Sequence, residues 1–137
     1  MALARARAAS GSRSVALYFQ HGTQGTSFSI VEDGNGNGVR VSEIALGVDP
    51  TIEDEVFLAT LYPGTQIALA PDMPAGQAVQ LGGTDILSFT PRGTSTSGSV
   101  YVLGPDGTQW VVRVLGVTAR AQVLRRDRQT GAWVHAY

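Results

Sequence analysis

Residues Asp85–Arg126 read DILSFTPRGTSTSGSVYVLGPDGTQWVVRVLGVTARAQVLRR. An apolar strand, Ile86–Thr90, runs into Pro91-Arg92-Gly93-Thr94 and then a small polar linker. Two apolar runs, Ser99–Leu103 and Gln109–Leu115, flank Gly104-Pro105-Asp106-Gly107. That tetrapeptide combines a fixed φ with residues that favour turns, so it predicts a hairpin. A further strand, Ala121–Arg126, follows Thr118-Ala119-Arg120.

Outward from this segment the same pattern continues. Ser14–Gln20 carries Val15, Leu17 and Phe19. Thr26–Glu32 alternates Phe28 and Ile30 with Ser27 and Ser29, the period of a half-buried strand. Glu55–Leu61 and Thr65–Ala70 flank a Tyr62-Pro63-Gly64 turn, and Ala132–Ala136 closes a last hairpin after Asp127–Gly131. No helical period is visible after residue 12. Residues 2–9 are rich in alanine and arginine and predict a short helix, with Gly11 as its C-terminal cap. The expected fold is mostly β (α+β). It has an N-terminal helix stub over residues 1–12 and an antiparallel β-sandwich of about eight short strands over 13–137.

With 137 residues, 43% hydrophobic and 15% charged, the chain is long enough to bury one core. Its ten basic residues are all arginine and its net charge is −1, which gives no global attraction to nucleic acid or anionic lipid. The absence of cysteine excludes disulfides and thiolate metal sites. No run of apolar residues is long enough to span a membrane.

The order of elements in Asp85–Arg126 resembles the C-terminal half of the minor pseudopilins of type II secretion systems and the related minor pilins of type IV pili (the GspH/FimT group). The shared features are a Phe-x-Pro-x-Gly element, here Phe89-Thr90-Pro91-Arg92-Gly93, then a hairpin and a terminal strand. The family carries Thr-Gly-Arg where this chain has Thr118-Ala119-Arg120. The resemblance implies a filament subunit at or near the tip of a pseudopilus or pilus. Such a subunit helps prime assembly or contacts the secreted substrate, and it is not an enzyme. It implies other minor pseudopilins or pilins as partners and a periplasmic or extracellular location. It also implies inner-membrane anchoring before assembly, through a longer N-terminal helix of which Met1–Ser10 forms the end. The isolated domain is expected to be a monomer. The alternatives are a DNA-binding minor pilin for DNA uptake and a secreted β-sandwich binding module.

Several residues are candidates for chemistry. Asp33, Asn35 and Asn37 before Gly38 have the spacing of a calcium loop, with Glu43 nearby. The twelfth position, where a bidentate acid belongs, is Ile44, so a tight loop without an ion is the preferred reading. Glu53-Asp54-Glu55 reads as a solvated run entering a strand. His21 and His135 are the only histidines, and no nucleophile elbow, Walker A motif or H-E-x-x-H motif occurs. No catalytic residue and no cofactor is expected. Arg120, Arg125, Arg126 and Arg128 form the basic cluster that the DNA-binding alternative needs, with Trp133 and Tyr137 as stacking faces. Two long loops, Asp33–Asp54 and Pro71–Thr84, are the expected partner-binding surface, through Val39, Val41, Ile44, Leu46 and Met73.

Overall fold

Alternation and turn chemistry set the architecture. The structure is a computed structural model and describes residues 2–136, so Tyr137 lies outside the described residues. Among them are ten strands: β1 (Val15–Gly22), β2 (Gly25–Glu32), β3 (Thr51–Val56), β4 (Gln66–Ile67), β5 (Val79–Gln80), β6 (Ile86–Phe89), β7 (Gly98–Leu103), β8 (Gln109–Leu115), β9 (Arg120–Arg126) and β10 (Trp133–His135). Three short helices join them: α1 (Ala2–Gly11), α2 (Val41–Ala45) and α3 (Leu58–Leu61). One antiparallel sheet runs β3-β2-β1-β6. The other runs β10-β9-β8-β7-β4, with β5 also pairing β7.

The helix stub docks through two small residues. Ala4 and Ala8, one turn apart, are 2% and 0% exposed, while Arg5, Arg7 and Ala9 face water. Alanine at both positions lets the helix approach β1 and β6 closely. The cap differs from expectation. Gly11 belongs to the helix, and the left-handed residue that ends it is Ser12, at φ 57°.

Both sheets and α1 feed one core. Val15, Leu17 and Phe19 of β1 and Leu87 and Phe89 of β6 share a buried cluster with Val79, Val100, Val114 and Ile67 of the other sheet. The linker after β6 stitches the sheets together. Thr96 donates its backbone N–H to Ser88 O (3.0 Å), and Ser95 N–H donates to Gly116 O beyond the end of β8 (2.8 Å).

Three sequence expectations need correction. Glu55–Leu61 is not one strand: β3 starts earlier, at Thr51, and Leu58–Leu61 forms a single helical turn. Asp33–Asp54 is not all loop, because it holds α2 and the start of β3. Thr65–Ala70 contracts to the two-residue β4, and β5 arises inside Pro71–Thr84. Elements of two to five residues are too short to show a period, so sequence pattern passes over them.

β2 inverts the usual burial pattern. Ser27 and Ser29 are buried, whereas Phe28 and Ile30 are only half-buried. The Ser27 hydroxyl is satisfied by donation to Glu55 Oε1 (2.9 Å).

Candidate functional site

The Asp33–Gly38 loop is wired by two buried carboxylates. Asp33 is 4% exposed and Asp49 is 1% exposed. Asp33 Oδ1 accepts from the Asn35 and Gly36 N–H groups (3.2 and 3.0 Å), and its Oδ2 accepts from Gly38 N–H (2.9 Å). Asp49 Oδ1 accepts from Gly34 N–H and its Oδ2 from Arg40 N–H, both at 2.9 Å. All four carboxylate oxygens therefore hold backbone amides. Asn37 Nδ2 donates to Glu43 Oε1 (2.6 Å), which draws the start of α2 onto the loop. A hard cation would compete with these amides for the carboxylate lone pairs. No group of three or more His, Cys, Asp or Glu comes together as a metal site among the described residues. Asp33, Asn35, Asn37 and Glu43 thus meet in one loop, arranged around N–H donors. Sequence reading groups Asp49 with the Glu53–Glu55 run and does not connect it, the second hub, to Asp33; it lies sixteen residues after Asp33, beyond the reach of any local motif.

The expected partner surface is divided. Val41 and Leu46, at either end of α2, are 41% and 77% exposed, and Val48 beyond them is 41% exposed. Val39 and Ile44 are half-buried. Met73 sits on the other loop, its N–H bonded to Ala70 O (3.0 Å), next to Asp72. Asp72 pairs with Arg126 at 2.9 Å, which pins that loop to the second sheet. The α2 residues hang instead from the edge of the first sheet, between β2 and β3.

The four arginines do not form one patch. Along β9, Arg120, Gln122, Leu124 and Arg126 share a face, and Arg125 points to the other. Arg126 is paired with Asp72, and the Arg128 guanidinium donates to the Asp106 carbonyl. Trp133 is half-buried and packs on Tyr101, with ring centroids 6.1 Å apart. The two rings are tilted by 59°, so Tyr101 already engages the Trp133 ring. Tyr137, the other stacking candidate, lies outside the described residues.

The two histidines are on different sheets. His21 Nε2 lies 3.2 Å from Asp85 Oδ2, and its Nδ1 lies 3.1 Å from Thr26 Oγ1. This bridge ties the β1–β2 hairpin end to the residue before β6. His135 is exposed on β10, opposite Leu124.

The turn between β8 and β9 contains an unusual residue. Ala119 is 3% exposed, belongs to the core cluster and has φ 54°. A left-handed conformation is one that glycine adopts freely and alanine adopts at a cost. The turn hairpin at Gly104–Gly107 is more ordinary. Gly104 N–H donates to Thr108 O (2.9 Å), and Asp106 accepts from the Thr108 N–H (3.0 Å) and hydroxyl (2.8 Å). These Thr108 donors, the backbone one first, hold the exposed Asp106 carboxyl below its ordinary value of 3.8. Comparison with known proteins gives no match: no family model, curated protein or solved structure corresponds to this chain.

Proposed function

We propose that this protein is a non-enzymatic minor pseudopilin or minor pilin subunit, acting at or near the tip of a type II secretion pseudopilus or type IV pilus. The observation that carries the reading is Ala119. The Thr-Gly-Arg of that group falls at Thr118-Ala119-Arg120, and position 119 has the left-handed backbone that a glycine there would serve. An alanine that keeps a left-handed backbone is compatible with this reading. An N-terminal helix seated by small residues on a two-sheet body is in keeping with this reading. So is the Phe89–Gly93 turn, which closes through Thr90 N–H on Thr94 O (2.9 Å).

In this role the subunit contacts companion minor pilins and is anchored through a longer N-terminal helix before assembly. DNA binding is the weaker alternative, because the arginines it needs are split between faces and two of them are already engaged. The test is genetic and biochemical. Deleting the gene in its host should impair secretion or pilus assembly, and the protein should appear in sheared filament fractions. Normal filaments together with absence from those fractions would overturn the proposal.

A further inference from the structure

The first sheet ends on β3, and none of the six residues of β3 is buried. Among the described residues its one strand partner is β2, and two register irregularities interrupt that pairing. Behind β3, between the sheets, lies a cavity of about 580 Å³. Phe19, Phe28, Ile30, Leu58, Val102 and Val112 line it, and so do Glu53 and Glu55 of β3. Leu61 also lines it and, with Tyr62 beside it, is more than half exposed.

This cavity explains the half-burial of Phe28 and Ile30: they face open space where a packed wall would be. Space of this size is open to water, so its apolar walls stay hydrated and covering them is favourable. Its volume would suit a small ligand. The strand edge beside it offers something a small ligand would leave unused, a row of backbone N–H and C=O groups without a neighbouring strand. The charge on that edge is one-sided. Among the described residues, Glu53, Asp54 and Glu55 are in no ion pair with Arg or His. A second copy of β3 would set the same acidic run against itself, so a symmetric edge-to-edge dimer is disfavoured.

We propose that the β3 edge and the cavity behind it form one docking site for an extended segment of a partner protein in which apolar side chains alternate with Lys or Arg. The segment pairs its backbone with β3 and buries alternate apolar side chains in the cavity. It sets its cations against Glu53 and Glu55, the latter already oriented by Ser27. The inference stands on this geometry and does not require the filament role.

The probe is a capped peptide, Lys-Val-Lys-Leu-Lys-Val-Lys, with a Glu-for-Lys version as control. Binding is followed by amide chemical shifts and by fluorescence anisotropy of labelled peptide. The lysine peptide should shift the amides of β3 and bind more weakly as salt rises. The double variant Glu53→Gln, Glu55→Gln should bind it about tenfold more weakly. Val102→Phe, which grows into the cavity, should also weaken binding while leaving the melting temperature unchanged or higher. Three results would each overturn the proposal. The first is equal binding of the glutamate peptide, and the second is shifts confined to another surface. The third is binding of dodecylammonium chloride in the cavity with none of the peptide, which would make this a pocket for small amphiphiles.

Discussion

Gly34 and Val48 pass so closely that a Cβ on Gly34 would lie 1.8 Å from the Val48 carbonyl oxygen. This contact brings the two ends of the Asp33–Asp49 loop together and lets Gly34 N–H reach Asp49. No side chain fits there without moving backbone. Gly34→Ala should therefore cost about 3 kcal/mol, near the upper end for overpacking. Gly36→Ala is the control. Its φ is +84° but nothing lies within 4 Å of its Cβ position. It should cost only about 1 kcal/mol, from backbone strain alone. Urea unfolding of both variants checks the difference, and equal losses would mean that the close approach is not real.

The same loop predicts its response to charge and to calcium. Asp49→Asn replaces one acceptor oxygen with an NH₂ donor facing either Gly34 N–H or Arg40 N–H. One part-buried N–H is then left without its acceptor, at a cost of about 1 kcal/mol. Because both carboxylates already serve amides, millimolar calcium should shift the wild-type melting temperature by under about 1 °C. A rise of several degrees that disappears in Asp33→Ala would show that the loop exchanges its amides for a cation.

How far the sequence reveals this molecule depends on reach. Most of the longer strands, β1, β2 and β6–β9, lie within a residue or two of where alternation and turn residues put them, because each signal is local. The Gly104–Gly107 turn is legible for the same reason. The β2–β3 region is not. Thr51–Val56 shows no alternating burial to detect, since it is exposed on both faces, and α2 and α3 are single turns. Asp33 stands out as a motif residue, but its partner Asp49 does not, because what joins them is the crossing of two backbone segments at Gly34. Phe28 and Ile30 read as core by pattern, and that they line a cavity depends on residues of the other sheet distant in sequence, Val102 and Val112 among them. The positive φ of Ala119 has no signature in an alanine.

Gln109 is a second long-range hub that its neighbours in sequence do not announce. It is 2% exposed. Its Oε1 accepts from Ala70 N–H (2.6 Å), and its Nε2 donates to the Ala68, Val102 and Trp110 carbonyls. The side chain thereby fastens the segment after β4 to β7 and β8. Gln109→Leu keeps the volume but orphans these groups, and should cost at least about 2 kcal/mol. Thermal melting should show a fall of about 4 °C per kcal/mol for a chain of this size. Amide exchange at Ala70 should rise well beyond the global change, and a loss without that local signature would point to packing instead.

Asp106 gives a pH test. Its carboxyl is held below 3.8 in the folded state by the Thr108 donors. A folded value below the unfolded one means that the group favours folding at pH above the unfolded value. That contribution is lost as the pH falls through the folded value. The carbon shift of the Asp106 carboxyl should therefore titrate below 3.8. Thr108→Ala, which removes the hydroxyl but keeps the backbone donor, should move the midpoint upward without abolishing the depression, because the backbone bond is the larger cause. No upward movement would remove the hydroxyl from the account.

Ala119 sets two effects of similar size against each other. Its left-handed backbone costs an alanine about 1–2 kcal/mol, which glycine avoids. Glycine, however, gives up a buried methyl worth about 0.8 kcal/mol and adds freedom to the unfolded chain worth about 0.4–1 kcal/mol. These nearly cancel, so Ala119→Gly should change stability by less than about 1 kcal/mol. Ala119→Val has no such balance. A β-branched residue at φ 54° is a backbone outlier, and two extra methyl groups must enter a site that is 3% exposed. It should lose about 3 kcal/mol or more and loosen the β8–β9 pairing at Leu115 and Arg120. Denaturant unfolding of the three proteins, with amide exchange along β9, reads both effects. A strongly destabilised Ala119→Gly would mean that methyl packing, not turn geometry, governs this position. A tolerated Ala119→Val would mean that the turn is not left-handed, and the observation on which the proposed pilin role rests would fall with it.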